Sequence, residues 1–120
     1  MTGECGSSRS KRIGFANRNW GPGTLVHVEF LQRARERGIE CRPEVYFKSV
    51  HLRADVALMR DGEIGMLVEC KGPFNPKYER VPWIFSKQGK KYQALGYPFR
   101  LCRSPEQIDG ILDAFENGIE

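Results

Sequence analysis

The stretch RADVALMRDGEIGMLVECKG, residues 53–72, decides the fold. Two apolar runs flank Asp61-Gly62, a pair that tolerates the positive φ of a tight reversal, so the stretch predicts a β-hairpin. In the first run Ala54, Val56 and Leu58 alternate with Ala57 and Met59; in the second Met66, Val68 and Cys70 alternate with Leu67. Both faces of both strands are therefore apolar, and such a sheet needs cover on each side. The flanking sequence supplies it. Upstream, Thr24 is set as an N-cap before LVHVEFLQRARER, whose Leu25, Val28, Leu31 and Ala34 share a helix face, and Gly38 ends the helix. CRPEVYFKSV then reads as the first of three antiparallel strands. Downstream, PFNPKYERVP is a loop, a helix runs from about Trp83 to Gly96, and PFRLCR is a short strand. The last helix has Ser104 as N-cap, Pro105 at its first position, Gln107 closing a capping box and Gly118 past its end. The order α, three strands, α, β, α makes an α/β domain with a central mixed sheet flanked by helices.

At 120 residues there is room for one core, so a single domain is expected over residues 24–120. Residues 1–23 carry Arg9, Lys11, Arg12 and Arg18 against the single acid Glu4, among GECGSS and GPG, and read as a flexible basic arm. The start, MTGECGSSRSKR, has no apolar core of the signal-peptide kind. Nor does any apolar run approach the roughly 20 residues that span a bilayer. No membrane association is expected, and the expected location is cytoplasmic. Cys5, Cys41, Cys70 and Cys102 include no pair at zinc-loop spacing; the last three lie in apolar segments and read as small buried hydrophobes. A net charge of +4 admits an acidic partner without requiring one.

Chemistry concentrates at the tip of the third strand. Alternation puts Leu67, Glu69 and Lys71 on one face and Val68 and Cys70 on the other, so the carboxylate and the ammonium share a side. On the preceding strand Asp55 interrupts an apolar run, which costs stability unless the charge is paired or binds a cation. The turn decides whether the acids meet. A loop of two or four residues sets Asp55 opposite Val68, on the wrong face; a three-residue loop closed by a Gly62 bulge sets it toward Leu67 or Glu69. With the odd loop, Asp55, Glu69 and the Cys70 backbone carbonyl form an oxygen donor set suited to Mg2+ or Mn2+, the remaining positions being left to water and phosphate. Lys71 is then placed to orient a water or to offset charge in a phosphoryl transition state.

Asp55, thirteen intervening residues and Glu69-Cys70-Lys71 resemble the PD-(D/E)xK nuclease superfamily, with Ala54 where the motif has proline. Gln88-Gly89-Lys90-Lys91-Tyr92 is similar to the QxxxY pattern of exonuclease-like branches. SKQGKKYQALGYPFRLCRSPEQ resembles the tail of VRR-NUC domains, and VEFLQRARERGIECRPE through VECKG resembles small phage-type Holliday junction resolvases. The resemblance covers about residues 24–115. It implies a restriction-endonuclease-like αβββαβ(α) core and a magnesium-dependent nuclease in which Asp55 and Glu69 hold the metal and Lys71 assists the attacking water. Glu29 would be an additional acidic ligand; an ion pair with Arg33, four residues on, is its other use. Gln88, Tyr92, Lys87, Lys90, Lys91, Lys77 and Trp83 would contact nucleic acid, DNA above all, with RNA left open. His27 and His51 lack partners at ligand spacing and read as structural. One active site per chain implies a homodimer for paired cuts on a junction or flap. The alternative is a non-catalytic nucleic-acid-binding or inhibitory protein on the same scaffold.

Overall fold

A computed structural model describes residues 21–118. Residues 1–20 of the expected basic arm, Cys5 among them, lie outside the described residues. The arm's last two positions belong to a helix instead: α1 spans Pro22–Glu36, with Gly21 as N-cap and Pro22 at the first position, where the fixed φ of proline suits a helix and its missing N–H costs nothing. The start is thus two residues ahead of Thr24. It ends in a Schellman arrangement, Gly38 at φ 75° donating to Arg35 O and Ile39 N–H donating to Ala34 O. The buried face is Val26, Phe30 and Ala34, rotated from the predicted stripe so that the large Phe30 ring is fully enclosed; Leu25 is left 47% exposed.

The sheet consists of β1 (Cys41–Phe47), β2 (Leu52–Arg60), β3 (Glu63–Cys70) and β4 (Phe99–Cys102), in that order across the sheet. The first two pairings are antiparallel and β3–β4 is parallel, so the sheet is mixed. The parallel step requires a crossover. It is made by the loop after β3, a 3-10 turn at Trp83–Phe85 and α2 (Lys87–Leu95). The predicted continuous helix from Trp83 is therefore broken: the Ser86 hydroxyl accepts from Gly89 N–H and starts α2 afresh. After β4, Pro105–Gln107 form a 3-10 turn and α3 runs Ile108–Glu116. No Ser104 side-chain cap forms, and the Gln107 amide oxygen accepts instead from Arg103 N–H at 2.7 Å.

Helices cover both faces, as the doubly apolar strands demand. On one side Val26 and Phe30 of α1 and Ile108, Leu112 and Phe115 of α3 pack on Val56, Leu58, Met66 and Val68. On the other, Tyr92 of α2 packs on Leu52, Ala54, Ala57, Met59 and Leu67. Two irregularities set the site. Asp61 and Gly62, at φ 55° and 81°, make a two-residue turn in place of the three-residue turn expected from the chemistry. The odd residue is Gly65: Leu58 pairs Met66 while Met59 pairs Ile64, so Gly65 bulges from β3. Carried one residue beyond Val56 opposite Val68, this register sets Asp55 opposite Glu69. The second irregularity is at Asp55 itself. Ala54 belongs to the α2-side core and Val56 to the other, whereas regular alternation would keep Ala54, Val56 and Leu58 together. The strand turns over at Asp55, and Glu44, facing it on β1 between Pro43 and Val45, takes a φ of 54°.

Candidate active site

β2 delivers Asp55 at its turnover, β3 delivers Glu69 one residue before its end, and Lys71 follows immediately. The Asp55 carboxylate accepts from the Cys70 backbone N–H at 2.8 Å, fastening the acid of one strand to the tip of the next. Glu69 is 5% exposed, the only charged side chain buried to this degree among the described residues. Two donors from α2, one helical turn apart, hold it. Tyr92 donates its hydroxyl to Glu69 Oε1 at 2.6 Å, and Gln88 donates its amide to Oε2 at 3.0 Å. Gln88 is fixed in turn by the Trp83 indole N–H, which donates to its amide oxygen at 2.7 Å.

Burial lifts the Glu69 carboxyl to about 7, and the charge of the neighbouring Asp55 adds to the rise; the Tyr92 hydrogen bond and the Lys71 charge oppose it. These influences show that Asp55, Glu69 and Lys71 share one electrostatic neighbourhood. The Tyr92 phenol is raised by burial and by Glu69, so it remains a donor. Burial likewise raises the Cys70 and Cys102 thiols, in keeping with small packed side chains.

A cleft of about 600 Å³ opens beside this cluster, its wall including Lys71, Tyr78, Arg80, Lys87 and Gln88. The first turn of α1 also lines it through Gly23, which stands over the Cys70 carbonyl and the Lys71–Gly72 backbone. Gly72 must be glycine for the same reason, since a Cβ there would lie 2.7 Å from Pro22 Cβ.

Other sequence-predicted residues land differently. Glu29 is bound to Arg33 at 2.9 Å, and Arg33 also meets Asp109 at 3.2 Å, so this acid belongs to the ion network between α1 and α3. Tyr92 is fully buried and cannot contact nucleic acid; its role is to hold Glu69. Gln88 reaches the cleft, but its amide is engaged at both ends. Trp83 is half-buried, with its indole N–H given to Gln88. Lys91 donates to the His51 carbonyl at 3.0 Å, steadying the β1–β2 loop, while the His51 ring pairs with the Tyr46 hydroxyl at 3.2 Å. Lys77, Lys87 and Lys90 are exposed. Sequence reasoning missed Gly65, whose isolated position inside an apolar strand was its one signal. It also missed the clamp of Arg103 on Glu79, at 2.6 and 3.1 Å.

A divalent cation at this tip would have Asp55 and Glu69 as its hard ligands, joined to the Cys70 backbone by the Asp55 hydrogen bond. No group of three or more His, Cys, Asp or Glu side chains suited to a metal occurs among the described residues. Two carboxylates nonetheless fit magnesium, which keeps several waters and takes one or two carboxylates from the protein. The like-charge pair, one member buried, is the feature a cation would relieve. No helix among the described residues is long and apolar enough to cross a membrane. The chain matches no protein-family model, no curated protein and no solved structure.

Proposed function

We propose that this chain is a magnesium- or manganese-dependent nuclease of the restriction-endonuclease-like fold, hydrolysing phosphodiester bonds of DNA. One observation carries the reading: a buried carboxylate, Glu69, is held by two dedicated donors beside a second carboxylate and a lysine at the margin of an open cleft. An isolated pair of like charges there would be a pure cost to folding. Element order supports the same reading, with three antiparallel strands between α1 and the crossover helix and β4 parallel to β3.

A bound divalent ion would supply Lewis acidity and a more acidic water. The chain's own residues do the rest. Asp55 and Glu69 would supply the carboxylate oxygens that hold the ion, and the Cys70 N–H fixes the Asp55 carboxylate. Tyr92 and Gln88 hold Glu69 in place, and the Tyr92 hydrogen bond opposes the rise that burial imposes on its carboxyl. Lys71 offsets charge accumulating on the phosphoryl oxygens as water adds to phosphorus and one ester P–O bond breaks. With one such cluster per chain, cutting two strands requires a homodimer.

The test is incubation with Mg2+ or Mn2+ on linear, nicked, flapped and four-way DNA, with Asp55→Ala and Lys71→Ala alongside. Metal-dependent cleavage should fall at least 100-fold in both variants while binding persists. Absence of metal-dependent cleavage from the wild-type chain on every substrate would overturn the proposal in favour of a non-catalytic binder.

A further inference from the structure

The loop between β3 and α2 exposes rings that a monomer gains nothing by exposing. Phe74, Tyr78 and Phe85 are 57%, 75% and 64% accessible, and Val81 joins them. The loop is braced into this shape. Tyr78 and Glu79 N–H groups donate to the Asn75 carbonyl at 3.1 and 2.9 Å, and Lys77 N–H donates to the Asn75 side chain at 2.9 Å. Arg103 ties the loop down at both ends, to Glu79 and to the Gly72 carbonyl at 3.1 Å. Tyr78 is thus held out by a built turn. Its neighbours are cations: Tyr78 and Val81 share the cleft wall with Lys71, Arg80 and Lys87, and Lys77 Nζ lies 5.6 Å from the Tyr78 ring centroid. Glu79, the acid of this wall, is neutralised by Arg103.

Exposed rings interleaved with cations along a groove are the chemistry of unpaired nucleic acid, whose bases offer free π faces while the phosphates follow the positive charge. A duplex hides those faces in its own stack, and an apolar protein partner would leave the cations without counter-charge. We propose that this wall takes an unpaired nucleic-acid strand, Tyr78 stacking on a base and Arg80 and Lys87 holding flanking phosphates. The inference deepens the nuclease reading and rests on it for the position of the scissile bond, making single-stranded or flapped nucleic acid the substrate class. The stacking step itself is measured by binding alone.

Fluorescence anisotropy, without divalent metal, of the full chain with labelled dT20, rU20 and a blunt 20-base-pair DNA duplex separates the cases; the two single strands report which sugar is preferred. The wild-type chain should prefer a single strand to the duplex. Tyr78→Ala should bind it roughly 5- to 100-fold more weakly with duplex binding unchanged, and Tyr78→Phe should restore it. Equal affinity of the wild type for single strand and duplex, or equal losses on both with Tyr78→Ala, would overturn the inference. So would a Tyr78→Ala change in sedimentation with nucleic-acid binding intact, which would assign the rings to self-association. Because binding is read without cleavage, a chain that prefers single strands through Tyr78 yet cuts nothing refutes the nuclease reading and leaves this one standing.

Discussion

Glu69 shows what a single residue must reconcile. Its carboxyl stands at about 7, above the ordinary 4.5, because burial and Asp55 disfavour the charge more than Tyr92 and Lys71 favour it. The folded state therefore binds a proton that the unfolded state has released, and the stability this contributes is present at acid pH and lost as pH rises from about 4.5 to 7. At ~1.36 kcal/mol per pH unit the loss is on the order of 3 kcal/mol. Differential scanning calorimetry of the metal-free chain at pH 5.5 and pH 8 should show about 2 kcal/mol of that loss in the wild type and none of it in Glu69→Gln. Added Mg2+ should raise the wild-type melting temperature at pH 8 and leave Glu69→Gln unmoved. A wild-type melting temperature indifferent to Mg2+ at pH 8 would remove the cation from the account. Asp55, Glu69 and Lys71 were legible in the sequence because charges inside apolar strands stand out against their neighbours. That Tyr92 and Gln88 serve Glu69 was not legible, since a helix spacing of four says which side chains share a face but not what lies opposite. Glu29 fell to the plainer of its two uses for a local reason: Arg33 is one turn away and α3 brings Asp109 to the same point.

At the scale of elements, glycines separate what the sequence states from what only packing reveals. The Asp61-Gly62 reversal was legible because turn chemistry is local. The bulge at Gly65 was not. A Cβ there would lie 2.8 Å from the Phe115 ring of α3, fifty residues on, and Arg60 stacks over the same ring at 4.2 Å while donating to the Phe115 carbonyl. Two helix glycines give opposite expectations. At Gly89 a Cβ would fall 2.2 Å from the Trp83 carbonyl oxygen and 2.9 Å from Ile84 Cα, both backbone, so Gly89→Ala must push α2 off the turn that precedes it. At Gly110 in α3 nothing lies within 4 Å, and alanine gains helix propensity without a clash. Chemical denaturation should show Gly110→Ala stabilising by about 0.5–1 kcal/mol. Gly89→Ala should destabilise by about 1–3 kcal/mol, as overpacking does. Because α2 carries both donors to Glu69, the Gly89 variant should lose cleavage even at temperatures where it remains folded. Retention of full stability by Gly89→Ala would refute the close approach of the Trp83–Phe85 turn to α2.

For the whole molecule, the layered class was legible because strands apolar on both faces admit few architectures; of the net charge of +4, residues 1–20 carry +3 (four bases against one acid), and composition could not say how the nearly balanced remainder is arranged. Folding sorts it. Between α1 and α3, Arg33 and Arg37 are matched by Glu29, Asp109, Asp113 and Glu116, so that side offers little field to a polyanion. The cleft side presents Lys71, Arg80 and Lys87 along one wall, where Glu79 is already taken by Arg103. If those three contact phosphates of a single strand, counterion release gives a slope of log K against log salt of about −2, from ~0.7 per contact. Lys87→Ala should reduce the magnitude of that slope by about 0.7 and weaken binding to every sequence alike. Arg42→Ala, on the edge strand β1 and beside Glu40 at 3.5 Å, should leave it unchanged. Salt titrations of dT20 binding from 50 to 300 mM NaCl resolve the difference. Equal slopes for wild type and Lys87→Ala would mean that the strand runs elsewhere, and a reduced slope in Arg42→Ala would place it along β1, away from Glu69. Either result would detach the basic wall from the proposed chemistry, because Lys71 lines this cleft and a phosphate held elsewhere would not meet it.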